Sequence, residues 1–254
     1  MRLLSAAAAL CLAAVLGPAP ALALGCETLD FDGQGYTVCR VDMERDDLRL
    51  FLEAPDGRPW GQFGRLDAAL EGEGRRLSFA MNAGMYHADR APVGLYIQDG
   101  EEIAPLVAGA GPGNFGLVPN GVFCIAGDRA RVIETEAYRA DPPACRHATQ
   151  SGPMLVIDGE LHPRFLPDST SRYVRNGVGT FAGGGEAIFA ISHRPVTFHE
   201  FGRLFRDGLG VDQALFLDGS VSKLHAPALN RSDFGRTMGP IIGVAAAPAE
   251  GAGE

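Results

Sequence analysis

Short apolar runs that end in paired turn residues recur along this chain and restrict its fold more than any other feature. Residues 94–98 run into Asp99-Gly100, residues 155–157 run into Asp158-Gly159, and residues 122–126 and 131–135 flank Gly127-Asp128. Aspartate and glycine accept the positive φ that a two-residue hairpin turn requires, so each site reads as a local antiparallel pairing. Residues 178–181, the turn Ala182-Gly183-Gly184-Gly185 and the apolar residues 187–191 repeat the arrangement. None of these reads as a parallel crossover unit, which needs a long connection between its strands.

Two segments change to helical spacing. Phe63, Leu66, Ala69 and Leu70 share one face, with Gly72 near the stop. Thr197 and Glu200 have the spacing of a capping box, and Phe198, Phe201, Leu204, Phe205 and Leu209 then form an apolar stripe that Gly208 or Gly210 ends. That stripe reads as core rather than as a binding surface. Next, residues 214–217 are four apolar positions running into Asp218-Gly219-Ser220, as in a buried strand that stops at a polar rim. Residues 245–254 are small and acidic and read as a frayed end. There is no internal repeat and no low-complexity linker. The expected fold class is α+β: one domain with a mixed, mostly antiparallel β-sheet core and a few packing helices.

The N-terminus reads as an export signal. Met1-Arg2 gives a positive start, residues 3–16 are almost all Leu and Ala, and Ala21-Leu22-Ala23 fits small-x-small cleavage. The apolar run is too short to span a bilayer comfortably, so no stable membrane insertion is expected. Lipidation of Cys26 ranks second, because the usual Leu three residues earlier is absent. The expected division is a signal peptide at 1–23 and a single domain at 24–254, located in the periplasm or outside the cell. Export leaves Cys26, Cys39, Cys124 and Cys145, an even number that in an oxidising compartment points to two disulfides. Of the three connectivities, Cys26–Cys39 and Cys124–Cys145 are favoured, because each pair brackets a local hairpin or loop. Close Cys-x-x-Cys spacing is absent, so a zinc site is not expected. The net charge of −9 offers no basic stripe for nucleic acid and argues against adhesion to anionic membranes, yet leaves room for a locally positive pocket.

Four segments could carry chemistry. Asn82, just after the apolar residues 77–80, could present an amide beside bare backbone N–H groups at Gly84, or could be a turn Asn stabilising its own backbone. Gln150, Ser151 and Gly152 precede a strand; Gly152 could admit a ligand, although Gly-Pro is also common turn punctuation. Ser151 is not in a Gly-x-Ser-x-Gly elbow, so a Ser-His-Asp hydrolase is not indicated. Arg172, Arg175 and Asn176 precede a further strand; arginine forks match phosphate oxygens in pairs, while a solvated surface pair is the plainer alternative. Asp218 stands at a strand end beside Gly219, Ser220 and Ser222, as a site carboxylate or as a turn residue. His87, His193, His199 and His225 lack metal-site spacing and read as structural or peripheral.

Taken in order, these segments resemble the phosphodiester glycosidase domain, whose pattern runs roughly Asn-Gly-Gly-Phe-Phe, Ser-Gly-Pro-Leu-Leu-Val, Arg-Thr-Ala-Ile-Gly and Asn-Leu-Asp-Gly-Gly-Gly-Ser-Ser. The matching stretches here are residues 82–86, 151–156, 175–179 and 216–222, within a similarity that spans about 75–245. Ala83 replaces the first Gly, Asn176-Gly177 replaces Thr-Ala, and Ser220-Val221 interrupts the last glycine run. The resemblance implies that family's fold and an exported hydrolase that cleaves a sugar-1-phosphodiester between the anomeric carbon and the phosphate oxygen. A phosphate monoester leaves more readily than an alkoxide, so one carboxylate with cationic support could suffice where other glycosidases use two. On this basis Asp218 is the expected catalytic carboxylate, and Arg175, helped by Arg172, the expected phosphate clamp. Asn82, Gln150, Ser151, Asn176 and Ser220 would position substrate, with Gly84, Gly152 and Gly219 admitting it closely. The expected partner is a carbohydrate or phosphoglycan. No cofactor is expected, although Asp218 with other oxygens leaves a divalent cation open. The rival expectations are a non-catalytic carbohydrate- or phosphoglycan-binding envelope protein and an interaction protein that keeps only the scaffold.

Overall fold

The computed structural model describes residues 24–218 and 220–247; the expected signal peptide, Gly219 and residues 248–254 lie outside it. The described strands form three sheets, in which every pairing of named strands is antiparallel. The seven-stranded sheet runs β1 (Gly25–Phe31), β2 (Gln34–Asp42), β13 (Glu186–Ser192), β12 (Asn176–Thr180), β14 (Gln213–Asp218), β10 (Met154–Ile157) and β11 (Glu160–Leu161). A five-stranded sheet runs β16 (Arg231–Ser232), β15 (Leu224–Ala226), β4 (Arg76–Asn82), β17 (Ile241–Ala246) and β3 (Leu48–Phe51). The other runs β6 (Glu101–Ala104), β5 (Tyr96–Gln98), β9 (His147–Ser151), β7 (Gly121–Ala126) and β8 (Arg129–Glu134).

The Asp-Gly turns behave as their chemistry requires. Asp99 and Gly100 have φ of 52° and 86°, and Asp158 and Gly159 have 50° and 80°. Both residues of such a turn must be left-handed for its twist to match the flanking strands. The same device at Asp32-Gly33 closes the β1–β2 hairpin, a turn that the sequence reading passed over.

Strand β14 explains how the site is held. Its side chains alternate between two buried layers: Leu215 and Leu217 enter the central core with Phe79, Phe123 and Phe189, while Ala214 and Phe216 face a second core under the helices. A strand covered on both faces reads as an unbroken apolar run, which is what residues 214–217 show. Phe79 and Phe123 approach Phe189 at ring-centroid distances of 4.9 and 5.9 Å, which joins the three sheets around one interior.

Helix α1 (Phe63–Glu71) buries Phe63, Leu66 and Leu70 as the spacing requires. Helix α2 (Thr135–Ala140) was not read from the sequence; Thr135 starts this short helix rather than ending a strand. Helix α3 (Phe198–Arg203) begins with the expected capping box, in which Glu200 N–H donates to Thr197 Oγ1 at 3.1 Å and Thr197 N–H donates to Glu200 Oε2 at 2.8 Å. The expected α-helical stripe does not continue unchanged. Leu204–Gly208 form a wider π turn, in which Leu209 N–H donates to Leu204 O at 2.9 Å, and this keeps Leu204, Phe205 and Leu209 buried. The end expected to fray from Ala245 is also different: Ala245 and Ala246 pair with β4, and Ala245 is buried. Both expected disulfides are formed. Cys26–Cys39 joins directly opposed residues of β1 and β2, and Cys124–Cys145 ties β7 to the chain entering β9. Among the described residues no helix is long and apolar enough to cross a membrane.

Candidate active site

Asp218 is the last residue of β14, and only 7% of its surface is exposed. It lies directly opposite Asn176 in the β12–β14 register. Asn176 Oδ1 accepts the Asp218 backbone N–H at 3.1 Å, and Asn176 Nδ2 donates to Asn82 O at 3.0 Å. The Asn82 amide returns a bond to Asn176 Oδ1 at 3.3 Å, and Asn82 Oδ1 accepts Lys223 N–H at 2.9 Å. Two fully buried amides therefore lock the end of β14 to the end of β4, each in a second sheet. Buried amides need such partners, because an unpaired polar group is costly to desolvate. Ser151 Oγ donates to Leu217 O at 2.9 Å and Ser222 Oγ donates to Asp218 O at 2.7 Å, which fixes the carboxylate from both sides of the chain. Ser220 N–H then donates to Asp218 Oδ1 at 2.8 Å.

This strand end opens into a cavity of about 860 Å³, within the roughly 300–1,000 Å³ common for ligand pockets. Its walls come from three loops: Tyr86 and Arg90 after β4, residues 112–115 with Asn114, and Arg236 with Thr237 before β17. Tyr86 is the electrostatic reporter of the site. Burial raises its pKa, the Asp218 carboxylate raises it further, and Arg90 and Arg236 partly oppose this. The phenol therefore stays protonated at neutral pH, and it donates to Thr237 O at 3.3 Å. Arg90 lies over the Tyr86 ring, 5.4 Å from its centroid. Among the described residues neither the Arg90 nor the Arg236 guanidinium has a hydrogen-bond or ion-pair partner. A carboxylate, a phenol and two guanidiniums whose N–H groups bond to no protein acceptor among the described residues thus share one cavity, an arrangement that can meet an anion and a developing cation together.

The residues expected from sequence divide into those that face this cavity and those that build it. Asp218 and Ser220 line it. Asn82, Asn176 and Ser151 are fully buried beneath it and spend their polar groups on the chain itself. Gln150 is also committed: Oε1 accepts Leu95 and Val107 N–H at 3.1 and 3.0 Å, and Nε2 donates to Val107 O at 2.7 Å. Gly84 has φ of 132° and faces Thr149, and a side chain at Gly152 would meet Asn120 Cβ at 2.6 Å. Those glycines admit neighbouring chain. Gly219 is outside the described residues.

The expected clamp lies elsewhere. The Arg175 guanidinium is fully buried, stacks 3.6 Å over the Phe198 ring, and donates to Val196 O at 2.9 Å and Ser171 O at 3.1 Å. Burial lowers its pKa to about 10, so it remains charged, and it does not line the cavity. Arg172 is paired in bidentate fashion with Glu200, at 2.9 and 2.8 Å. The cavity residues that sequence reasoning missed are Arg90, Asn114 and Arg236; Tyr86 stood at the edge of a matched motif without an assigned role. Among the described residues no group of three or more His, Cys, Asp or Glu is placed to hold a metal ion.

The chain belongs to the phosphodiester glycosidase family, whose pattern matches residues 75–245. It is 34% identical over 192 residues to the uncharacterized protein YigE of Escherichia coli (strain K12), covering 76% of this chain and 73% of that one. Among solved structures it is similar to the zebrafish N-acetylglucosamine-1-phosphodiester alpha-N-acetylglucosaminidase catalytic domain auto-inhibited by its pro-peptide, with a TM-score of 0.58 and 13% identity over 87% of this chain and 82% of that chain. It is also similar to a hypothetical protein from Synechocystis, with a TM-score of 0.57 and 13% identity over 87% of this chain, spanning 61% of that protein's length. At these identities the structural likeness shows the fold.

Proposed function

We propose that this protein is an exported hydrolase that cleaves the anomeric C–O bond of a sugar-1-phosphodiester in an envelope or extracellular glycoconjugate. The observation that carries this reading is the placement of Asp218 in one cavity with Arg90, stacked on Tyr86, and Arg236, two guanidiniums with no hydrogen-bond or ion-pair partner among the described residues. As the C1–O bond breaks, its electron pair leaves with the phosphate, and the guanidiniums stabilise the charge that develops there. Asp218 stabilises the oxocarbenium-like carbon, either through space or as a transient nucleophile, and water then supplies the hydroxyl at C1 and releases a proton. The protonated Tyr86 phenol and Ser220 offer hydrogen bonds to the sugar or the phosphate. Arg90 and Arg236 thus take the role that the sequence assigned to Arg175, while Asn82, Asn176 and Ser151 hold the carboxylate in place. The reaction draws on these side chains and we assign it no cofactor. Two disulfides accord with an oxidising compartment, in the periplasm or outside the cell.

Hydrolysis in ¹⁸O-labelled water tests the bond assignment. C–O cleavage places the label on the released sugar and leaves an unlabelled phosphomonoester on the aglycone. Label in the phosphate would identify a phosphodiesterase instead, and binding without turnover would identify a binder.

A further inference from the structure

Residues 108–114, Ala-Gly-Ala-Gly-Pro-Gly-Asn, are all exposed, and the last three of them line the cavity that holds Asp218. We propose that this segment is a strap that closes over the cavity when substrate enters, and that Asn114 is a substrate-binding residue which closure brings to a sugar hydroxyl. This deepens the proposed function and rests on it.

The strap is held firmly at both ends and hardly at all between them. At its start, Gln150 Oε1 accepts the Val107 N–H at 3.0 Å, and Gln150 Nε2 donates to Val107 O at 2.7 Å. The same Oε1 accepts the Leu95 N–H at 3.1 Å, which ties this end to the chain entering β5. At its finish, Asn120 Nδ2 donates to Phe115 O at 2.9 Å. The Phe115 ring lies so close to Gly94 that a side chain there would fall 2.7 Å from its Cζ. Gln150 and Asn120 are both buried, so two interior amides fix the points about which the strap can turn. Between these anchors, the backbone bonds of the described residues are Gly111 N–H to Gly116 O at 3.3 Å and Leu117 N–H to Asn114 O at 3.2 Å. Both stay inside residues 111–117, so neither fastens the strap to the body of the protein. Space lies on two sides of it: the 860 Å³ cavity beside residues 112–114, and another of about 320 Å³ between Gly109, Pro119 and Glu134. Few packed contacts and an exposed backbone mark the segments that open at least cost.

The composition of the strap suits such a swing. Gly109 and Gly113 have φ of 85° and 67°, and without a Cβ they cross between left- and right-handed backbone at little steric cost. Asn114 stands between Gly113 and the Phe115 anchor, and its side chain has no hydrogen-bond partner among the described residues. An amide offers a donor and an acceptor together, which matches a hydroxyl group. Phosphate oxygens only accept, and Arg90 and Arg236 serve them from the opposite walls. Closure also keeps bulk water from Asp218, where a drier cavity makes its charge count for more.

Millisecond hydrogen exchange tests closure apart from catalysis, with glucose 1-phosphate and inorganic phosphate as probes. Glucose 1-phosphate at millimolar concentration should slow exchange in peptides spanning 108–114 by about tenfold, and inorganic phosphate, which carries no sugar hydroxyl, should leave it unchanged. Asn114→Ala should lose most of that protection and lower kcat/KM by about tenfold at an unchanged Tm, the worth of one hydrogen bond. Equal exchange with and without glucose 1-phosphate, equal protection by the two probes, or full protection in Asn114→Ala would overturn the proposal. Turnover distinguishes this from failure of the function: hydrolysis of a sugar-1-phosphodiester without protection of the strap keeps the glycosidase reading and removes the strap. Protection without hydrolysis does the reverse.

Discussion

Two arginine-bearing segments of this molecule, residues 172–175 and 231–236, look alike as sequence and differ as chemistry. In the first, Arg172 is spent on Glu200, and Arg175 is held by Val196 O, Ser171 O and the face of Phe198, with only its buried Nη1 left unbonded. In the second, Arg231 is spent on Asp233, but Arg236 lines the cavity that holds Asp218 and has no partner of its own among the described residues. The difference teaches that uncommitted charge, rather than arginine density, marks a place where an anion can bind. A guanidinium already stacked and hydrogen-bonded would have to break those contacts before it could grip a phosphate.

The comparison can be broken at either end. Arg175→Ala should have the larger effect, and on stability. It removes a fully buried, stacked side chain and leaves a cavity beneath Phe198, a loss of about 3 kcal/mol that thermal unfolding would register as roughly 6–12 °C. Turnover per folded molecule should change little by comparison. A Tm within a degree of wild type together with lost turnover would return the clamp to Arg175. Arg236→Ala should do the opposite, lowering kcat/KM about a hundredfold, in keeping with the loss of one directed charge at the leaving group, with a Tm close to wild type. Unchanged kinetics in that variant would remove Arg236 from the site.

What the sequence made legible follows from how local each signal is. Asp-Gly pairs dictate their own turns, and the unbroken apolar run of residues 214–217 depends only on a strand covered on both faces, so β14 and its polar end at Asp218 could be read directly. The capping box of α3 is local in the same sense. The arginines of the cavity are not. Arg90 and Arg236 come from loops far apart in sequence that meet because Gly239 lets the later loop pack on the earlier one; a side chain there would fall 2.7 Å from Tyr86 Cβ and from Arg90 O. The surroundings of Arg175 were illegible for the same reason, since Phe198 and Val196 hold it from another part of the chain. Gln150 gave no hint that it clasps the backbone of Leu95 and Val107.

The central claim is that one carboxylate, fixed at the end of β14, performs the work for which most glycosidases use two. Kinetics of purified Asp218→Asn on a chromogenic sugar-1-phosphodiester, with its thermal unfolding measured alongside, test this most directly. Asparagine keeps the size and can still accept Ser220 N–H, but it removes the negative charge that meets the anomeric carbon. The account predicts a fall in kcat of roughly a hundredfold or more with Tm essentially unchanged. Near-wild-type kcat in the folded variant would contradict it, whatever the fate of the arginines.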